Sequence, residues 1–300
     1  MLPKLKNIII SQHVVILVVI GLFLGFGGVA LTKAGRLELP PFLQKSDANL
    51  STPSPTPTSV PTPTPTPKPL TFEERNKLYG PCVHLPTIMY HHIRNLDVAR
   101  SKGDLGLSVD PGDFRSQMQY LKDKGYTPVS PEVLTSFFDS GASVPSNSIL
   151  ITFDDGYDDF AANALPVLKE FGFKATLFLP TGLVNNQEFL TWDQVQEAAN
   201  SGLVYIANHT WSHHSVAVSF DVDKKEIETA DTQLKEHGLN QGLVFAYPYG
   251  NYADYAISIL QSLNYKLAFT TVPGSTMCKQ KRFTLPRIRI GNAPLSAYGF

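Results

Sequence analysis

SILITFDDGYDD, residues 148–159, is a short apolar run that ends in two adjacent carboxylates, Asp154 and Asp155, and then a glycine. Six residues without a charge, bounded by turn formers, read as a strand covered on both faces. Carboxylates that close repel one another, and burial penalises both. Either the pair sits in solvent at the strand's end, or a positive group stands beside it.

The segments around this strand share its grammar. Strand-like runs at 85–93, 174–180, 203–209, 242–248, 265–271 and 285–290 alternate with helix-like segments at 110–125, 130–141, 158–171, 191–202, 221–238 and 253–263. The first helix shows the start and stop signals plainly: Asp110 caps it, Pro111 opens its first turn, and Gly125 ends it. About seven continuous apolar strands separated by helices predict an α/β fold with a helix-covered parallel sheet. An open doubly wound sheet and a closed (β/α) barrel both fit. In either, side chains at the C-terminal ends of strands build the site. No internal repeat is apparent.

The chain before this part is of a different kind. Residues 1–7 form a short N-terminal segment, and 8–31, IIISQHVVILVVIGLFLGFGGVAL, are apolar. At about 1.5 Å per residue that run exceeds a hydrocarbon core of about 30 Å, so a transmembrane helix is expected. A cleaved signal peptide is the rival, but no clear A-x-A site follows. Lys4 and Lys6 precede the run and Lys33 and Arg36 follow it, so charge orients it only weakly. Residues 32–70 read as a linker, and its part at 51–70, STPSPTPTSVPTPTPTPKPL, is a Thr/Pro spacer of polyproline type. An anchor followed by a stiff stalk suits a single-pass protein of the cell membrane whose folded part, residues 71–300, stands outside the cell. Two cysteines, Cys82 and Cys278, are available there; a disulfide and two free thiols are both open. A net charge of -1 implies no nucleic-acid partner, and neither a Rossmann glycine loop nor a P-loop is present.

Four strand ends carry the chemistry. They supply His91-His92 after 85–90, Asp154-Asp155 after 148–153, NHTWSHH (208–214) with His209 and His213, and YPYG (247–250). Asp155, His209 and His213 together offer two nitrogens and one oxygen, a set that zinc accepts while keeping a position for water. A cation there would offset the cost of the paired carboxylates and leave Asp154 to take a proton. Taken alone, H-x-x-x-H is as readily two surface histidines, Asp-Asp a helix cap, and YPYG a turn; their joint occurrence carries the reading. Thr210 follows His209, so the metalloprotease arrangement with glutamate there does not apply.

TFDDG (152–156), HTWSH (209–213) and YPYG (247–250), in this order and spacing, resemble the polysaccharide deacetylases of the NodB-homology type, carbohydrate esterase family four. The resemblance spans about residues 85–290. It implies a distorted (β/α) barrel of about seven parallel strands, preceded here by the transmembrane helix and the Pro/Thr-rich linker. It implies Asp154 as catalytic base and Asp155, His209 and His213 as ligands of a divalent metal, zinc first, with cobalt or nickel as alternatives. It also implies the N–H of Tyr249 as an oxyanion donor, with Gly250 permitting close approach. The reaction implied is removal of acetyl from an N-acetylated polysaccharide, an N-acetylglucosamine polymer of exopolysaccharide or peptidoglycan. An O-acetyl xylan-type esterase and a catalytically silent glycan binder are the alternatives.

Two departures stand out. Many relatives have arginine where this chain has Ala246, and many end in a leucine-x-histidine where this chain reads PRIRI (286–290). MYHHI (89–93) is similar to the first-strand element of the permuted subgroup that deacetylates poly-N-acetylglucosamine. That similarity makes His91 the general acid and His92 structural, and gives Arg287, or else Arg289, the place of the missing arginine. Asp158 and Asp159 are expected to start the next helix.

Overall fold

The computed structural model describes residues 68–300. The expected anchor at 8–31 and the Thr/Pro spacer up to residue 67 lie outside the described residues. Among the described residues no helix is long and apolar enough to cross a membrane. The described chain opens with the helix Phe72–Tyr79, closed at its start by reciprocal hydrogen bonds between Thr71 and Glu74.

Seven strands form the frame: β1 Thr87–Tyr90, β2 Ser148–Phe153, β3 Ala175–Leu179, β4 Val204–Asn208, β5 Val244–Ala246, β6 Leu267–Phe269 and β7 Ile288–Arg289. All neighbours are parallel, in the order β6-β5-β4-β3-β2-β1-β7, and a short strand at Thr127–Pro128 adds to β2. The sheet curls until one segment serves both of its edges. Leu285 N–H donates to the Ala268 carbonyl at 3.0 Å, and Thr270 N–H to that of Leu285 at 2.8 Å. A few residues on, Ile288 pairs with Ile88, and Ile290 N–H donates to the Met89 carbonyl at 3.0 Å. Bonding both edges through residues 285–290 leaves no long row of unpaired backbone groups.

Strand alternation sorts the side chains into two layers. Outward, Ile149, Ile151 and Phe153 of β2 join Phe114, Met118 and Leu121 of the helix Pro111–Asp123 and Leu165 and Leu168 of the helix Leu165–Phe171. Inward, Leu150, Phe178, Ala207, Ala246, Phe269 and Leu285 form a second buried cluster. Every residue of β1, β2 and β3 is buried, as their unbroken apolar runs require. Continuing the inward files by two-residue steps leads from Leu150 through Thr152 to Asp154, from Ala207 to His209, and from Leu285 to Arg287 and Arg289. The inner core thus ends in the polar residues singled out above.

Three details differ from the sequence reading or resolve what it left open. The run 85–93 is not one strand: β1 stops at Tyr90, and His92–Ile93 pairs instead with Ser108–Val109. Asp159 does begin the helical stretch, as expected, but its side chain makes no capping bond; its carboxylate accepts from Ile93 N–H at 3.1 Å and Arg94 Nε at 2.7 Å, and lies 2.7 Å from His92 Nδ1. Its backbone leads into a single π turn, Phe160–Ala164, before the helix proper. Cys82 and Cys278 form a disulfide, facing each other in a two-stranded antiparallel ladder between Cys82–His84 and Thr276–Cys278.

Candidate active site

A cavity of about 330 Å³ opens at the C-terminal ends of the strands, lined by His91, Leu107, Asp154, Asp155, Tyr157, His209, His213, Tyr249, Thr271 and Arg289. β2 delivers Asp154 and Asp155 on successive residues, and these separate because the backbone turns left-handed at Asp155 (φ 72°) and Gly156 (φ 68°). A side chain at 156 would collide with Leu179 Cδ1 at 2.6 Å, so the turn needs glycine both for its backbone and for space.

Asp154 turns inward to Arg287. Arg287 Nη1 donates to Asp154 Oδ1 at 2.6 Å and Nη2 to Oδ2 at 2.7 Å, a two-pronged ion pair. Arg287 Nε donates to the Thr270 carbonyl at 2.9 Å, and its guanidinium lies 5.3 Å from the centre of the Phe178 ring. The arginine is 0% exposed and the aspartate 3% exposed. Burial by itself raises the Asp154 carboxyl, but Arg287 and the histidines outweigh it and hold the group below the usual carboxylate range.

Asp155, His209 and His213 each offer a ligand atom, and the three atoms lie within 4.8 Å of one another. Asp155 Oδ1 is 3.4 Å from His209 Nε2 and 3.0 Å from His213 Nε2. That oxygen is buried and has no well-aligned donor. His209 Nδ1 faces the Ala246 carbonyl at 2.7 Å, an acceptor, which fixes the proton on Nδ1 and leaves the Nε2 lone pair toward Asp155. An orphaned carboxylate oxygen flanked by two imidazole nitrogens is the donor chemistry of a divalent cation site, and these residues fit one. Burial raises Asp155 too, yet its contacts with His209 and His213 hold it well below the carboxylate range. Burial lowers His213, and Asp155 more than reverses this, leaving it above its usual value.

The loop that carries the two histidines is held from behind. Asn208 Oδ1 accepts from Thr210 N–H at 2.8 Å, Thr210 Oγ1 from His214 N–H at 3.1 Å, and Glu226 takes both the N–H and the hydroxyl of Ser212 at 2.8 and 2.9 Å. Thr210 and His213 adopt left-handed backbone, with φ of 67° and 59°. So does Tyr249, with φ 61°. Non-glycine residues in this region carry strain that the surrounding structure must hold, and three of the ten among the described residues, Asp155, His213 and Tyr249, line this cavity. The turn after β5 brings Tyr249 edge-on to His213, ring centres 4.7 Å apart. A Cβ on Gly250 would lie 2.1 Å from Thr271 Oγ1, which accounts for glycine there.

His91 follows β1 directly and lines the cavity. Burial lowers its imidazole, the pull of Asp154 and Asp155 opposes this, and Arg289 and Arg287 push with burial; the net shift is downward. His92 points elsewhere, stacked on Tyr157 with ring centres 3.5 Å apart and held by Asp159. Leu107, Tyr157 and Thr271 also line the cavity and were not singled out from the sequence. Thr271 and Tyr157 are findable, lying two and four residues beyond strand ends; Leu107 leaves no such signal. Trp211 is 42% exposed, and His237 stacks on Trp192 at 3.9 Å, away from the cavity lining.

The curled parallel sheet and a cavity that pairs a buried carboxylate with an Asp/His/His group define an α/β protein with a hydrolase-like site, and comparison with known proteins gives the family. The family model of polysaccharide deacetylases matches residues 141–268. YxkH of Bacillus subtilis (strain 168), whose name assigns it to the polysaccharide deacetylases, is 30% identical over 208 residues, covering 69% of this chain and 71% of that one. The poly-beta-1,6-N-acetyl-D-glucosamine N-deacetylase of Escherichia coli (strain K12) is 29% identical over 232 residues, covering 63% of this chain and 34% of that one, about a third of its length. Among solved structures, the Streptococcus pyogenes deacetylase PplD in complex with acetate superposes with a TM-score of 0.64 at 33% identity, covering 69% of this chain and 92% of that one. The chain belongs to the polysaccharide deacetylase family.

Proposed function

We propose that this protein is a metal-dependent N-deacetylase of a polysaccharide containing N-acetylglucosamine, exopolysaccharide or peptidoglycan, working outside the cell from an anchor at residues 8–31. The observation that carries the reading is the fork of Arg287 on Asp154 beside the group Asp155, His209 and His213, in one cavity. The expectation that the substrate contains N-acetylglucosamine rests on the relative named for poly-beta-1,6-N-acetyl-D-glucosamine.

Asp155, His209 and His213 would hold the cation. Zinc suits two nitrogens and an oxygen, and when bound it supplies Lewis acidity to the acetyl carbonyl and to the attacking water. Asp154, kept ionised by Arg287, accepts a proton from that water as its oxygen adds to the carbonyl carbon. The Tyr249 N–H donates to the oxygen that gains charge. His91 delivers a proton to the sugar nitrogen as the carbon–nitrogen bond breaks. Acetate and a free amine leave.

Acetate release by the full-length protein from N-acetylglucosamine oligomers, with zinc added, tests the reading. Release that disappears in Asp154→Asn supports it. An enzyme that frees acetate only from O-acetylated xylan is the outcome that replaces it with the esterase. Shedding of the domain by protease added to intact cells tests the location; full protection overturns it.

A further inference from the structure

Arg289 is unlike the other arginines of the described chain. Arg94 is paired with Asp159 and Asp104, Arg100 with Asp97, Arg115 with Glu170, Arg282 with Asp139, and Arg287 with Asp154. Arg75 donates to the Leu70 carbonyl at 3.2 Å. Arg289 is exposed, lines the catalytic cavity, and has no hydrogen-bond or ion-pair partner among the described residues. It lies two residues beyond Arg287 on the same inward file, so β7 sets one guanidinium deep against Asp154 and the next at the mouth.

The charges around that mouth have one sign left over. Asp154 is taken by Arg287, and Asp155 faces two imidazoles. A second cavity, of about 590 Å³, adjoins the first across residues 270–272: Thr271 lines the catalytic side, Thr270 and Val272 the other. Its charged lining residues are Arg75 and Lys281, with no carboxylate; Lys281 Nζ lies 4.8 Å from the centre of the Tyr79 ring, and Phe72 and Tyr252 supply apolar surface of the kind sugar rings stack on. Uncommitted cations in low-dielectric clefts concentrate anions, and a guanidinium presents the fork that matches a carboxylate.

We infer that Arg289 is a specificity residue that binds a carboxylate substituent on the N-acetylated sugar chain, so that the substrate class is an acidic N-acetylated glycan rather than a neutral one. This rests on the deacetylase reading and narrows it. Arg75 and Lys281 continue the preference along the neighbouring cavity. The same cations disfavour stretches already deacetylated, because each reaction replaces a neutral amide with an ammonium.

The test uses the full-length protein and N-acetylglucosamine oligomers in which alternate residues bear a lactyl ether, as the free carboxylate or as its methyl ester. Wild type is expected to favour the carboxylate over the ester by on the order of 10-fold to 100-fold in kcat/KM and in calorimetric affinity, the worth of one charge-assisted hydrogen bond. The ratio falls as salt rises. In Arg289→Gln it collapses toward unity, and Arg289→Lys keeps part of it, having charge without the fork. Equal affinity for both oligomers in wild type, or a preference that survives Arg289→Gln, overturns the inference. If neither oligomer releases acetate but the carboxylate form still binds preferentially through Arg289, the recognition stands and the deacetylase reading falls.

Discussion

Replacing Arg287 by methionine keeps most of the side chain's bulk and removes its charge. Three things are lost. Asp154 is left as a buried carboxylate without its counter-ion, the Thr270 carbonyl loses a donor, and Phe178 loses its cation. Unpairing one member of a buried ion pair costs about 3–5 kcal/mol. A Coulomb energy of about 4 kcal/mol, for charges about 4 Å apart at an effective dielectric of about 20, is of the same size. The lost donor adds about 1 kcal/mol. With a urea slope of about 2–3 kcal/mol/M, the unfolding midpoint should fall by about 1–3 M. The assay is urea unfolding at pH 7 in chelator, followed through Trp192 and Trp211, for Arg287→Met, Asp154→Asn and the double variant. In the Asp154→Asn background the arginine has no carboxylate to neutralise, so its removal should cost at least about 2 kcal/mol less than in wild type. The pH dependence has a definite sign. Asp154 is depressed in the folded protein, so its contribution is present above the ordinary carboxylate range and is lost as pH falls through its folded value. The gap between wild type and Arg287→Met should therefore narrow on acidification. Equal costs in the two backgrounds, or a gap that stays constant in acid, would refute the ion-pair argument.

Four other outcomes are expected. His91→Ala should lower turnover by about 10²–10⁴-fold while bound metal, measured by elemental analysis, is unchanged; full retained activity overturns the proton-donor role. His213→Gln should lose bound metal, and zinc that raises the wild-type melting temperature should no longer do so; at about 100 times its Kd a ligand adds about 2.7 kcal/mol. Opening the Cys82–Cys278 bridge, which spans 196 residues, should remove up to about 5 kcal/mol by the loop-entropy model, so a double Cys→Ser variant with an unmoved midpoint contradicts it. Gly250→Ala forces a Cβ to 2.1 Å from Thr271 Oγ1 at φ 75°, and acetate release should drop with little change in metal content.

The sheet was legible because its strands are uninterrupted apolar runs between capped helices, and such runs have few other places to go. The convergence of Asp154, Asp155, His209 and His213 on one cavity was legible because parallel strands share the direction in which they end. What was hidden depended on register and on distant partners. The run through His91 and His92 looks like a single strand, since nothing local shows that Ser108–Val109 will capture His92–Ile93. Asp159 is legible as a helix start, but not as the partner of His92 and Arg94, which are more than sixty residues away. Alternation gives Arg287 and Arg289 the same face, so it cannot tell them apart; depth along the strand decides, and that is fixed by pairing Arg289 with Met89. The bond from His209 to the Ala246 carbonyl leaves no trace in side-chain identity at all.

The segment that joins the two sheet edges is made after both of the strands it joins. Asp154 and Arg287 are 133 residues apart in the chain. At about 5–20 residues per second, the ribosome adds the arginine roughly 10 s after the aspartate. Through that interval the nascent chain carries the carboxylate without its counter-ion, and the sheet without the residues that bond both its edges. A chain halted before residue 287 would hold the three prospective metal-binding residues and lack the charge that keeps Asp154 ionised. Pairing of the buried carboxylate is thus tied to synthesis through residue 287, and a product truncated before it would carry the binding group without that counter-ion.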